Sequence, residues 1–340
     1  LSAITKIKTA APTPIENLLS LAADDMNAVD LIIHDRMQSP VGMIPDLAEH
    51  LVGAGGKRLR PLITIASAHL CGYKGDGHHN LAAAVEFIHS ATLLHDDVVD
   101  TSDKRRGKRT ANLIWGNAPS ILVGDFLFAR SFNLMVETGS MKALEILSTA
   151  SSIIAEGEVQ QLAGLRDINM SEANYRDVIG AKTAALFAAA AEVGPVLAGL
   201  ESDKQAAMKS YGQELGLAFQ LVDDALDYGG FETALGKSIG DDFREGKMTL
   251  PIIYAYANAI ENKDEIAVAF WNRVIVDNEQ REVDLENAIS LLRKEGAIDA
   301  TLDAARIHSE NAIKALAGFE NSAWKSALTD LAAFVVDRLH

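Results

Sequence analysis

The sequence predicts an all-α protein, and three observations lead there. Apolar residues recur at helical spacing along almost the whole chain, and no convincing run alternates apolar with polar residues as a half-buried strand would. Alanine and leucine are abundant, while 340 residues contain only 8 prolines. Glycine, proline and serine cluster between the periodic stretches rather than within them.

The expected elements follow in order. A first helix over 15–38 stops at Ser39-Pro40, and a second over 43–53 runs into Gly53-Ala54-Gly55-Gly56. Helices over 58–72 and 80–101 are separated by the glycines between Gly72 and Gly77. Helices over 117–138 and 141–165 are parted by Gly139-Ser140. The next, 171–191, starts at Ser171 with Glu172 and Asn174 behind it, and Gly194-Pro195 closes it. A long helix over 203–228 ends at Gly229-Gly230, and helices over 247–260, 279–295, 297–317 and 320–339 complete the chain. With no low-complexity linker and no short repeat, residues 1–340 are expected to form one domain, of which 1–14 would be a flexible N-terminal segment.

Composition narrows the function. A hydrophobic share of 48% and a charged share of 23% are those of a soluble globular protein. The formal charge of −16 argues against nucleic acid as a partner, and any anionic ligand would need a local basic cluster or metal ions. Cys71 is the only cysteine, so no intrachain disulfide can form, which fits a reducing, cytoplasmic compartment. The start of the chain lacks the uninterrupted apolar core of a signal peptide. The longest apolar tract, 183–200, contains Glu192 and Pro195 and reads as a buried helix rather than a membrane anchor.

Two aspartate-rich segments carry the chemistry. Leu-Leu-His-Asp-Asp-Val-Val-Asp at 93–100 and Gln-Leu-Val-Asp-Asp-Ala-Leu-Asp at 220–227 each place Asp-Asp-x-x-Asp in an otherwise apolar helix. Asp96 and Asp100 are spaced i,i+4 and share a face, with His89 two turns earlier. Gln220, Asp223, Asp224 and Asp227 form one continuous stripe. An interior stripe of carboxylates is costly unless a cation compensates it. A hard cation such as Mg2+ takes oxygen ligands and is commonly shared between one or two carboxylates and a substrate phosphate. One such motif alone reads as a solvated helix face; two, in apolar helices, point to a shared metal–diphosphate centre.

Basic residues would hold the anion. Lys57 and Arg60 stand i,i+3 just after Gly55-Gly56, where a helix N-terminus and charge-assisted hydrogen bonds favour phosphate, though a surface turn is the alternative. The run 103–109, with Arg105 and Arg106, follows the first motif directly; a solvated charge run is its alternative. Lys237 and Lys247 follow the second motif, and Asp241 and Asp242 could equally be supporting partners.

Taken together, GGKRLRP at 55–61, HDDVVD at 95–100 with RRGKRT behind it, and LVDDALDYGG at 221–230 with LGKSIGDDFREGKMTLP behind it resemble the trans-isoprenyl (polyprenyl) diphosphate synthases, nearest their long-chain octaprenyl and decaprenyl branch. The resemblance spans roughly residues 30–340. It implies a single large helical bundle around a deep central cavity, the isoprenoid synthase fold, and a homodimer. It implies that Asp96, Asp100 and Asp223 ligate Mg2+, three ions per site, with Asp97, Asp224 and Asp227 ligating or supporting. Arg105 would contact the allylic diphosphate (farnesyl or geranylgeranyl), and Lys57, Arg60, His89 and Arg106 would hold isopentenyl diphosphate. Lys182, Thr183 and Gln220 would sit beside the reacting carbons, with Lys237 and Lys247 adding diphosphate contacts. The implied chemistry is ionisation, condensation and elimination for quinone side-chain synthesis, with no side chain needed as a strong nucleophile.

Product length would be set below the first motif. Ala91 and Thr92, five and four residues before Asp96, are small where short-chain relatives carry aromatics, so an open tunnel and a product of about C40 to C50 are expected. On that basis Ala91→Phe should shorten the product. Phe132 and Met135 are candidate stops deeper down, with ordinary core packing as the alternative. Three other readings stay open: a short-chain farnesyl or geranylgeranyl synthase, a class I terpene cyclase, and a non-catalytic partner subunit. Lys57, Arg60 and Arg106 count against the cyclase, which needs no second diphosphate clamp.

Overall fold

The computed structural model describes residues 12–53, 56–105, 107–229 and 239–337. Segment 1–11, Arg106 and Lys237 lie outside the described residues. The fold is all-α. Its helices are α1 (Pro14–Leu21), α2 (Ala23–Arg36), α3 (Met43–Val52), α4 (Leu59–Leu70), α5 (Gly77–Val99), α6 (Ala111–Trp115), α7 (Asn117–Glu137), α8 (Met141–Ala163), α9 (Glu172–Ile179), α10 (Ala185–Leu197) and α11 (Ser202–Gly229). After these come α12 (Asp241–Glu245), α13 (Leu250–Glu261), α14 (Glu265–Trp271), α15 (Asp284–Lys294), α16 (Ala297–Ala315) and α17 (Ala323–Asp337).

Departures from the expected helices have local causes. The first helix is two, broken at Ala22, and α1 begins with a capping box in which Thr13 and Glu16 exchange hydrogen bonds ahead of Pro14. Residues 13 and 14 therefore belong to a helix start rather than to a flexible segment. The helix expected over 171–191 is interrupted by a π turn at Gly180–Ala184 and continues through Pro195 to Leu197. A two-residue hairpin, Lys104–Arg105 paired with Lys108–Arg109, turns at Gly107 with φ +76°. It is too short to show strand periodicity. The short helices α6, α12 and α14 were also too brief for a periodic signal.

The bundle centres on α5, α10 and α11. Around α5, Leu81, Val85, Phe87, Ile88 and Leu94 are fully buried, so most sides of this helix meet other helices. Each such side chain contributes about 1.5–3 kcal/mol relative to exposure. The α5 helix packs on α4 and α7, while α10 packs on α4, α8 and α11, and α16 covers the far side of α11. Small residues let the backbones approach: a Cβ at Gly157 of α8 would lie 2.7 Å from the Ala181 Cβ, and one at Gly216 of α11 would lie 2.6 Å from the Ala184 Cα. The stretch Glu172–Leu197 is apolar and long enough to cross a membrane by composition, but 78% of its most apolar window is buried in this bundle.

Candidate active site

The interior helices enclose a cavity of about 530 Å³. The α5 wall is formed by Glu86, His89, Thr92, Leu93, Asp96 and Asp100, one face of that helix. From α11 come Phe219, Gln220, Asp223, Asp224 and Asp227. Lys57, Arg58 and Arg60 line it from the start of α4, Arg105 from the hairpin, and Lys182 and Thr183 from the π turn. Both aspartate stripes thus face one space.

Each acidic residue has its own surroundings. Burial pushes the Asp96 carboxyl above its usual range, against the pull of Lys182, whose ammonium lies 3.8 Å away. Asp224 is 2% exposed; burial drives its carboxyl well up, although Tyr175 Oη donates to it at 2.5 Å and Gln220 Nε2 at 2.7 Å. Asp227 accepts the backbone N–H groups of Asp241 and Asp242 at 3.3 and 3.2 Å, tying α12 to the end of α11. Asp100 closes α5, and Lys247 donates to it at 3.0 Å.

Of the two parts expected of Asp97, ligating a metal or supporting from behind, its surroundings favour the second. It lies about 100° around the helix from Asp96. It is 1% exposed, is absent from the cavity wall, and takes two hydrogen bonds from Arg105, at 2.9 and 2.8 Å. Its part is to hold the Arg105 guanidinium at the cavity edge.

The basic side divides in two. Arg60 Nη1 donates to His89 Nε2 at 3.2 Å, and its guanidinium lies 4.3 Å from the centre of the Phe187 ring, which fixes its plane. His89 precedes Asp96 by seven residues, about 10 Å along the helix, so the Lys57–Arg60–His89 group stands apart from the aspartates. On the other side, Lys182 Nζ donates to Glu158 and Gln161 of α8, each at 2.7 Å. Thr183 Oγ1 donates to Gln220 at 2.7 Å. The π turn makes this possible: its extra residue swings two successive side chains toward α8 and α11.

The expected tunnel row is only partly in this wall. Thr92 lines the cavity, whereas Ala91 is 1% exposed and sits in the core. Five residues from Asp96 is a rotation of about 140°, against about 40° for four. Met135 is fully buried, and Phe132 packs edge-on against Phe128 at 5.4 Å; neither lines the cavity. Glu158, Gln161 and Tyr175 border the site and were not anticipated, while Asp242, expected as a possible supporting partner, also lines it. For Glu158 and Gln161 an i,i+3 spacing on α8 was the available signal.

Comparison with known proteins places these features. The polyprenyl synthetase family profile matches residues 42–291. Octaprenyl diphosphate synthase of Escherichia coli (strain K12) is 42% identical over 324 residues, covering 95% of this chain and 99% of that protein. A crystal structure of polyprenyl synthase from Caulobacter crescentus CB15, complexed with calcium and isoprenyl diphosphate, is 56% identical with a TM-score of 0.91, covering 96% of this chain and 99% of that one. A decaprenyl diphosphate synthase structure from Rhodobacter capsulatus is 51% identical with a TM-score of 0.91, covering 96% and 100%.

Proposed function

The chain belongs to the polyprenyl synthetase family, and from that premise we propose that its cavity extends an allylic diphosphate with isopentenyl diphosphate to a long trans-polyprenyl diphosphate of the octaprenyl-to-decaprenyl class. It is a prenyltransferase, and its family takes isopentenyl diphosphate and an allylic diphosphate as substrates. The observation that carries the reading is the pairing of two aspartate stripes across one cavity with a separate basic group beside them. One diphosphate needs cations bridged by carboxylates, and a second needs a direct clamp.

The donor set fits Mg2+, which the family generally uses. Carboxylates outnumber fixed cations in the wall, all first-motif and second-motif donors there are oxygens, and burial raises Asp96 and Asp224, so an added cation relieves the strain of charging them. Asp96, Asp100 and Asp223 would hold the ions, three per site in this reading, with Asp224 and Asp227 supporting from α11. Bound there, Mg2+ supplies positive charge to the diphosphate as it leaves the allylic carbon.

The chain's own groups do the rest. Arg105, braced by Asp97, and Lys247 approach the allylic diphosphate. Lys57, Arg60 and His89 clamp the diphosphate of isopentenyl diphosphate, which brings its double bond to the allylic carbon. Lys182, Thr183 and Gln220 orient the allylic end, and Glu158 and Gln161 position Lys182. Leu93, Phe187 and Phe219 keep water from the cationic carbon. The proton lost at the end is assigned to the departing diphosphate, which leaves the allylic carbon beside it.

The whole chain is read as one catalytic unit, working as a homodimer in the cytoplasm. Support for the dimer comes from apolar side chains left exposed on neighbouring helices: Leu113 and Ile114 on α6, Leu122 and Val136 on α7, Val159 and Leu162 on α8. The deciding experiment incubates the purified chain with Mg2+, isopentenyl diphosphate and farnesyl diphosphate, then sizes the dephosphorylated products. Products ending at about C40 to C50 are expected; a stop at C20 would leave the chemistry standing but assign a short-chain enzyme, and no elongation would point to a partner subunit.

A further inference from the structure

Away from the cavity, three imidazoles from two helices converge on one carboxylate. His69, in the last turn of α4, places Nε2 at 2.8 Å from Asp25 Oδ2. His78 and His79, in the first turn of α5, place Nε2 at 3.0 and 2.8 Å from Asp25 Oδ1. Asp25 itself comes from α2. The donor atoms of Asp25, His69 and His78 all lie within 4.8 Å of one another, and none of the four residues lines the catalytic cavity.

We propose that His69, His78, His79 and Asp25 form a binding site for one Zn2+ ion, separate from the Mg2+ centre. Three imidazole nitrogens with one carboxylate oxygen are a zinc donor set, whereas Mg2+ takes oxygen ligands. A tetrahedron with metal–ligand bonds of about 2.0–2.1 Å has edges of about 3.3 Å. The three nitrogen–oxygen separations sit near that size, and the donors of Asp25, His69 and His78 already lie within 4.8 Å of one another, so side-chain rotation closes these three around an ion with His79 turning in as the fourth ligand. All three rings present the same nitrogen, Nε2, to one carboxylate, His69 to Oδ2 and His78 and His79 to Oδ1.

The surroundings favour the ligand form of the rings. His78 is 4% exposed, and burial, reinforced by His79 and His69, keeps its imidazole below the usual range against the pull of Asp25. A neutral ring that donates from Nε2 to Asp25 can move that proton to Nδ1 and so free the Nε2 lone pair for a metal. Trp324 of α17 stacks on His69 with centroids 4.5 Å apart and planes 4° from parallel, and Tyr73 meets the His78 ring edge-on, so two rings are held in place before any ion arrives. The His69, His79 and Asp25 side chains stay 30%, 17% and 18% exposed, which leaves a route in from solvent. An ion there would clamp α2 and α4 to the start of α5, the helix whose far end carries Asp96 and Asp100.

The test uses full-length, tag-free protein stripped with chelator. Zn2+ is titrated in the presence of excess Mg2+ and inorganic diphosphate, which occupy the aspartate centre. Bound metal per chain is measured by elemental analysis after gel filtration, and the visible spectrum is taken with Co2+ in place of Zn2+. One Zn2+ per chain, a tetrahedral Co2+ spectrum and a raised melting temperature are expected. All three should be lost in His78→Gln and, independently, in the more exposed His79→Gln, each checked for native helicity by circular dichroism. Failure of the wild-type chain to retain zinc would overturn the proposal. So would equal retention by either folded variant, which would put the ion elsewhere, in the aspartate cavity above all.

Discussion

The Lys247 ammonium lies 3.0 Å from the Asp100 carboxylate, joining the segment before α13 to the last acid of the first aspartate motif. Burial works against the charged lysine, yet Asp100, Asp242 and Glu245 outweigh it and hold Lys247 above the ordinary lysine range. In the metal-free protein this side chain partly neutralises carboxylates that would otherwise face one another. Lys247→Met should therefore destabilise the metal-free protein by about 3 kcal/mol, the cost of stranding a buried partner. Mg2+ with inorganic diphosphate should restore part of that loss. Thermal melts with and without Mg2+ decide it; equal Mg2+ stabilisation of wild type and variant would show that ion and lysine do not serve the same acids.

Asp96 and Asp97 are neighbours in sequence with opposite surroundings, so their asparagine variants should separate. Asp96→Asn removes a cavity carboxylate and should lower kcat by about two to three orders of magnitude, the scale of losing a main electrostatic contact. Asp97→Asn should act through Arg105, weakening the allylic substrate by about tenfold to a hundredfold, the scale of a charged hydrogen bond. Its Mg2+ dependence should be nearly unchanged. Steady-state kinetics varying each substrate and Mg2+ in turn would distinguish these; a shifted Mg2+ requirement in Asp97→Asn would return that residue to the ligand set.

Thr92 borders the cavity while Ala91 lies in the core. Thr92→Phe should shorten the product while leaving the fold largely intact. Ala91→Phe should first cost stability, about 1–3 kcal/mol from overpacking. Product sizing beside denaturant unfolding tests both. A sharply shortened product from Ala91→Phe at undiminished stability would mean that the tunnel runs past Ala91 after all.

A methyl group at position 157 would meet the Ala181 Cβ at 2.7 Å and the Lys182 backbone N at 2.9 Å. Neither neighbour is a flexible side-chain end, so Gly157→Ala must push the π turn away from α8. The expected outcome is lost stability of about 1–3 kcal/mol and a lower kcat, because Lys182 loses its register with Glu158 and Gln161. Unchanged kcat in the folded variant would detach the π turn from catalysis.

Burial opposes ionisation of Asp25, but hydrogen bonds from His79, His78 and His69 carry its carboxyl down to about 2. An unfolded aspartate titrates near 3.9, so the folded value is the lower of the two. The resulting stability, reduced by solvent around a carboxylate that stays partly exposed, is fully present above about pH 4 and is lost as pH falls through about 2. In chelator-stripped protein, Asp25→Asn should lose that contribution at neutral pH and converge with wild type in strong acid. Parallel loss at every pH would assign the effect to packing instead.

The helices and the two acid stripes were legible in the sequence because both depend on spacing within one element. Asp96 with Asp100, and Gln220 with Asp223, Asp224 and Asp227, share faces by helical period alone, whatever packs against them. Likewise Gly55-Gly56 before Lys57 and Arg60 marked a helix start without knowledge of its neighbours. What only the tertiary structure decided is which of these side chains meet. Asp97 turns to Arg105, Lys182 finds Glu158 and Gln161, Tyr175 reaches Asp224, and Ala91 falls behind the wall that Thr92 forms. Each of those pairings depends on how helices cross and on a π turn that adds one residue to a helical repeat. Crossing geometry arises from side-chain packing between segments distant in sequence, so no local period encodes it.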